Sequence, residues 1–404
     1  MTVPHSAEHP SERPAGPNTG PNAEHSADDT GAIPTVNDTA RAPSEEPPEM
    51  PRRALILGES AMALDLEQAY KRMGFDTRIG AASIAEVFYP GIIVTSGDAE
   101  DTIETVQEIS QRVGAVVAPS VDACRHTADR MAVRKQANEE LGLPTLDYEF
   151  AATPQEMHDA VERIGYPCVV KAPTSKDGEG FSFVHSDADL ADAWRAADRG
   201  LGQGAVVERY IDFDFEVTIL AVRSIDPSTG ELATWFCEPI GTRHREGRLV
   251  ESWQPAPLPD AAMDNARSIA ARIVGALASC GIFSVEMFVS GDDVYFSQVT
   301  PRPSRDGLVT FVTQRINQFD LQARATQRLP IDSTLISPGA VRFLEGHPSQ
   351  AALAEAMAVE EVTVRMLGDG TLVLATADSA AEARQRTDEA VREIHKIDGK
   401  PGEN

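Results

Sequence analysis

This chain lacks most of what would mark a membrane or nucleic-acid protein. No apolar run among its 404 residues is long enough to span a bilayer. Positive charge is scarce, with 36 basic against 63 acidic residues and a formal charge of −27. A polyanion partner needs clustered Lys and Arg to displace its counterions, so neither nucleic acid nor membrane is an expected partner. Cysteine is rare too. Cys124, Cys168, Cys237 and Cys280 stand apart without Cys-x-x-Cys spacing. That argues against a zinc site or disulfide frame and for buried thiols in a reducing cytoplasm. The first fifty residues contain no Leu, Phe, Tyr or Trp. Such a stretch buries too little apolar surface to offset its ordering entropy, so residues 1–50 read as a disordered tail, without the apolar centre of a signal peptide.

What is present begins with "RRALILG" (52–58), an apolar strand, followed by the helical period of "SAMALDLEQAYKRMG" (60–74). "GAVVAPS" (114–120) reads as another buried strand. Strands alternating with helices predict a small parallel α/β domain over 51–128. The turn after the first strand, "GESAMA", is not G-x-G-x-x-G, which removes the main support for a dinucleotide site. Further on, "DRMAVRKQANEELG" (129–142) predicts a helix, and "YPCVVKA" (166–172), "FSFVHS" (181–186) and "GAVVERYI" (204–211) predict strands. "FDFEVTILAV" (213–222) and "ATWFCEPIG" (233–241) read as antiparallel neighbours, and 263–281 as a long amphipathic helix. Residues 331–398 hold short strands and a final alanine-rich helix.

The segment "FSVEMFVSGDDVYFSQVTPRPSRDG" (283–307) reads as a hairpin with a Gly-Asp-Asp turn. Alternation puts Glu286 opposite Val285 and Met287, and puts Phe296 and Gln298 on one face with Tyr295 and Ser297 on the other. Lys171 ends a strand before the glycine turn "SKDGEG" (175–180), so its ammonium can reach phosphates that the turn would hold. The turn joins two strands and lacks G-K-[ST] at a helix, so it is not a P-loop. Taken alone, this is a plain hairpin with a surface lysine. Glu208, Glu216 and Glu286 change the balance. Each sits in apolar company, where a carboxylate needs a partner.

Lys171, the glycine hairpin, "VVERYI", "FDFEVT", "FSVEMF" and "FSQVTPRP" together resemble the ATP-grasp ligases. Within them the pattern is similar to the formate-dependent phosphoribosylglycinamide formyltransferases, through "IGYPCVVKA", "FDFEVTIL", "VESWQP" and "VTPRP", over about residues 52–398. The resemblance implies an α/β (α+β) architecture: a parallel N-terminal domain, a small ATP-grasp lobe over 129–205, a large lobe over 206–330 and a C-terminal subdomain over 331–404. It also implies ATP and Mg2+ as cofactors. Arg130 and Lys171 would meet phosphates, and Lys176, Asp177, Gly178, Glu179, Gly180 and Phe181 would form the lid. Glu208, Arg209, Tyr210 and Ile211 would meet the adenine, and Glu216 the ribose. Glu286 and Gln298 would hold the metal, with Gln298 standing where the family has a glutamate. Arg302, with Lys171, would be catalytic, steadying an acyl phosphate made from a carboxylate and ATP and then opened by an amine. Homodimers are usual in such a family.

The acceptor half departs from that pattern. Ala61 stands where the family's first loop has a glutamate, and a segment with a second acceptor-binding glutamate is missing before "VVAPSVDACRHT". Where the family has His-Asp-Thr-Gly, this chain has Ser304-Arg305-Asp306-Gly307, which makes Arg305 and Asp306 acceptor-binding candidates. "VRMLGDGTLVLATA" has Asp369 where the family's Lys and Arg pair would grip a phosphate; Arg365 remains, but its family counterpart is not that clamp. The expectation is a cytoplasmic ATP-grasp ligase joining a small carboxylate to an amine other than the purine intermediate. The alternatives are the purine formyltransferase itself and a nucleotide-binding regulator without turnover.

Overall fold

The computed structural model describes residues 52–174, 180–245, 247–368 and 370–399. The expected tail over 1–50, and Lys176 to Glu179 of the expected phosphate lid, lie outside them.

The first sheet holds β1 (Arg53–Leu57), β2 (Asp76–Gly80), β3 (Ile92–Thr95) and β4 (Val116–Ala118), all parallel, in the order β2-β1-β3-β4. β1 is central and buried, which matches its unbroken apolar run. β4, expected to be buried, is an edge strand, and its Val116 is exposed. Ser60 caps the helix Ala61–Arg72, its Oγ accepting from the Ala63 N–H.

The second sheet holds β5 (Tyr148–Ala151), β6 (Cys168–Lys171), β7 (Phe181–Val184) and β8 (Ala205–Arg209), all antiparallel, in the order β5-β8-β6-β7. β8 is thus an inner strand of this sheet, although the sequence division closes the small lobe at 205. The helix Arg130–Lys135 that leads in is capped by Asp129, whose carboxylate accepts from the Met131 and Ala132 N–H groups. It widens into a π-turn over Gln136–Glu140.

The third sheet is built from β9 (Phe215–Ile225), β10 (Leu232–Phe236), β11 (Ile240–Arg245), β12 (Arg248–Gln254), β13 (Gly281–Ser290), β14 (Asp293–Thr300), β15 (Gly339–Glu345), β16 (Val362–Leu367) and β17 (Gly370–Thr376). Its path is β14-β13-β9-β11-β12-β15-β17-β16, with β10 pairing β9. "ATWFCEPIG" therefore becomes two strands, β10 against the far half of β9 and the start of β11 against the near half. Pro239, with no N–H to give a ladder, lies between them.

The β13–β14 hairpin carries a bulge. Glu286 pairs with Gln298, but Met287 pairs with Phe296, leaving Ser297 as the extra residue. This overturns the alternation expected from sequence. Phe296 enters the core with Met287, Val294 and Val299, while Gln298 crosses to the face of Glu286. Among the described residues, no helix is long and apolar enough to cross a membrane.

Candidate active site

Three adjacent groups of charged side chains line the faces of the second and third sheets. The first is built on Glu208, which β8 places across from Val169 of β6. Its carboxylate accepts from Lys171 Nζ at 2.6 Å and from an Arg134 guanidinium nitrogen at 2.6 Å. Arg134 also donates to the Phe296 carbonyl at 3.0 Å, tying the two sheets together. The Arg134 and Glu208 side chains are each 4% exposed. Burial alone would raise the Glu208 carboxyl, but the charges of Arg134 and Lys171 outweigh it and hold it down at about 2. The Lys171 ammonium is lowered, chiefly by burial, with Glu208 opposing the change.

Arg134 was missed from sequence. The available signal was its place one helical turn after Arg130, which puts both guanidinia on one helix face. Arg130 is lowered by burial and feels both Glu208 and Glu286, so it stands between the first group and the third.

In the second group, Glu216 on β9 meets His244 on β11, with Oε2 and Nδ1 2.8 Å apart. Burial pulls the imidazolium down, but the Glu216 bond and the charges of Glu216, Asp306 and Glu286 push it up to about 9. β9 and β11 set this meeting: Thr242 pairs with Glu216, and His244, two residues on along β11, shares their face, while the extra residue of the neighbouring bulge is Val250 on β12.

The third group holds Glu286, Gln298 and Asp306. The Gln298 amide nitrogen donates to Glu286 Oε1 at 2.7 Å. Thr218, the cross-strand neighbour of Glu286, donates to Asp306 Oδ2 at 2.7 Å. Ser252 donates to the Asp306 carbonyl at 3.1 Å. Burial first, and then the Asp306 charge, push the Glu286 carboxyl up to about 7; burial raises Asp306 as well.

A buried lysine and two arginines stand beside several carboxylates, a constellation chemically suited to phosphates and a hard cation. Residues 136–319 match the family described as the ATP-grasp domain. The chain is similar to proteins named formate-dependent phosphoribosylglycinamide formyltransferase. One, from Corynebacterium efficiens, is 42% identical, with 83% of this chain and 93% of the relative covered. Another, from Corynebacterium jeikeium, is 43% identical, with 84% and 92% covered. The chain belongs to the ATP-grasp family. Among solved structures it is similar to glycinamide-RNase-transformylase T from Mycobacterium tuberculosis, 31% identical at a TM-score of 0.71, covering 84% of this chain and 99% of that one. It also shares the fold of carboxyaminoimidazole ribonucleotide synthase from Aspergillus clavatus complexed with ATP, at a TM-score of 0.74 and 19% identity, covering 86% and 99%. As an ATP-grasp enzyme it is ATP-dependent and acts on small molecules.

Other residues singled out from the sequence fall around these groups of the ATP-grasp fold. Gly180 adopts a positive φ, and a Cβ there would come within 2.7 Å of the Ala172 methyl, so glycine is required where the lid returns to β7. Phe181 pairs with Lys171 across β6 and β7. Tyr210 packs edge-on to Phe183 at 4.8 Å. Arg209 turns outward to Asp147 at 2.9 Å, and Ile211 follows β8 partly buried.

Arg302 lies so close over Gly97 that a Cβ at 97 would meet its Nε at 2.0 Å. Next to Gly97, Asp98 accepts from the Glu59 N–H at 2.9 Å and the Ser60 N–H at 2.8 Å, closing the loop that carries Ala61. Arg305 is exposed and stacks on Phe343 at 5.5 Å, whereas its neighbour Asp306 is buried. Arg365 donates to Asp65 at 2.8 Å and lies 3.8 Å over the Phe311 ring. All four cysteines are free; Cys168 and Cys237 are buried, but Cys124 and Cys280 are only partly so.

Proposed function

We propose that this chain uses ATP and magnesium to activate formate and formylates phosphoribosylglycinamide. The observation that carries this reading is identity of 42% and 43%, over more than four-fifths of the chain, to relatives bearing that activity in their names. It favours the purine acceptor over the specialised one expected from the altered loops. Formate oxygen attacks the γ-phosphorus, ADP leaves, and formyl phosphate results. The acceptor amine then attacks the formyl carbon, phosphate leaves with the C–O bond pair, and the amine loses a proton.

The chain's own residues would act electrostatically. Glu208 pins the Lys171 ammonium and keeps it charged, leaving two N–H groups for phosphate oxygens. Arg130, between Glu208 and Glu286, adds charge at the same place. With His244 on one Glu216 oxygen, the other is available to ribose hydroxyls. Glu286 fits a hard dication: its carboxylate oxygens are hard ligands, held in a buried setting where a like charge faces them. Magnesium there would neutralise charge on the transferring phosphoryl group. The domain division proposed above stands in this reading with β8 moved into the small lobe, and so does a homodimer.

A second reading, an amine acceptor that carries a carboxylate and no phosphate, is favoured by Arg365. That cation is already engaged by Asp65 and Phe311, while Arg305 offers an exposed planar fork suited to a carboxylate. Mass spectrometry of enzyme with ATP, magnesium, formate and phosphoribosylglycinamide decides between them. Formylated product with matching ADP is expected. ADP release that instead requires a different amine overturns the first reading.

A further inference from the structure

Gln298 is oriented as a donor. Its amide nitrogen faces Glu286 and donates to Oε1 at 2.7 Å. An amide nitrogen is no ligand for a hard cation, and Glu286 is left one carboxylate short of a pair.

A second carboxylate does stand beside it, supplied from another part of the chain. Asp306 arrives from the turn after β14 and is 6% exposed. Three contacts fix it. Thr218 holds Oδ2, Ser252 holds its carbonyl, and the backbone continues into the short helical turn Asp306–Val309. Since Thr218 is the residue that β9 places directly against Glu286, its hydroxyl sets Asp306 next to the Glu286 carboxylate. With Oδ2 taken, Oδ1 is the oxygen available to a ligand. Two carboxylates brought side by side offer the hard oxygens that a dication takes.

We propose that Asp306 and Glu286 form the carboxylate pair that holds the nucleotide's divalent cation, and that Gln298 positions Glu286 without touching the ion. This rests on the magnesium reading above and deepens it. The acidic residue at 306, first taken as an acceptor contact, thereby serves the ATP half. Arg305, which stacks on Phe343, remains an acceptor candidate.

The test is manganese(II) binding, followed by the loss of its free electron-paramagnetic signal, in the presence of ADP. Asp306→Asn keeps an oxygen for the Thr218 hydroxyl and a closely matched shape, and should weaken manganese binding at least tenfold. Adding Gln298→Glu to that variant restores a second carboxylate beside Glu286 and should recover most of the loss. Thr218→Val, which keeps both carboxylates but frees Asp306 from its anchor, should weaken binding severalfold. Unchanged manganese affinity in Asp306→Asn, with acceptor KM raised instead, would return Asp306 to the acceptor site and overturn the proposal while leaving the magnesium reading intact. A wild-type ADP complex that takes up no manganese would sink both.

Discussion

On the nucleotide side, Glu208 has two cations within 2.6 Å and is almost wholly buried. Away from that group, Arg365 and Arg305 each lie over an aromatic ring, and Arg305 is exposed to solvent. Both regions are rich in charge, yet the charges do different work. Buried pairs must stay complete, because removing one partner strands the other in a low dielectric. Solvent-facing cations carry no such constraint, since water replaces a lost partner at little cost. The buried group therefore tolerates little change, and the solvent-facing cations can drift in sequence while the fold persists. The departure at Arg305, exposed on its turn, follows that pattern.

The strongest way to break this contrast is Glu208→Ala. It leaves Arg134 and Lys171 buried without their counter-charge and should cost about 3–5 kcal/mol in urea unfolding. A loss no larger than that of a surface pair would mean the group is solvated and the contrast false.

The His244–Glu216 pair should respond next, through pH. The folded-state imidazole titrates at about 9, above its ordinary 6.5. Its contribution is thus fully present below about pH 6.5 and is lost as pH rises through about 9. Stability should fall by about 1–3 kcal/mol across that window, and His244→Gln should flatten the slope. An unaltered slope in the variant would place the titrating group elsewhere.

The smallest effect is expected at Arg365→Ala, about 1 kcal/mol or less in stability, for one ion pair and one ring contact that are partly solvated. KM for phosphoribosylglycinamide sharpens the comparison here. A tenfold rise would show that Arg365 leaves Asp65 to grip the acceptor phosphate, strengthening the purine reading.

Much of the ATP half was legible along the chain. Lys171 at a strand end before a glycine turn, and acids embedded in "VVERYI", "FDFEVT" and "FSVEMF", are local patterns with a period of two that needs no knowledge of partners. Gln298 was noticed as an amide in a carboxylate's place. What stayed hidden involved long range or broken period. Arg134 gains its meaning from Glu208, 74 residues away, and from the Phe296 carbonyl, 162 residues away. His244 depended on β11 pairing with β9, and the faces of Phe296 and Gln298 on a bulge in β14. A bulge inserts one unpaired residue and reverses every later side chain, and no composition rule locates it.

By itself the sequence determined the parallel α/β start, many strands and helices of the later sheets as local segments, and the residue types that can bind phosphate. Apolar periodicity and turn chemistry act between near neighbours, so they can be read in a line. Only the tertiary structure decided which charges meet. It brought Asp306 to Glu286 through Thr218, turned the Gln298 amide into a donor, and joined Lys171, Arg134 and Glu208 into one buried group. The reason is physical: a charge in the interior is tolerable only beside its partner, and the partner is chosen by the packing of sheets, not by distance along the chain.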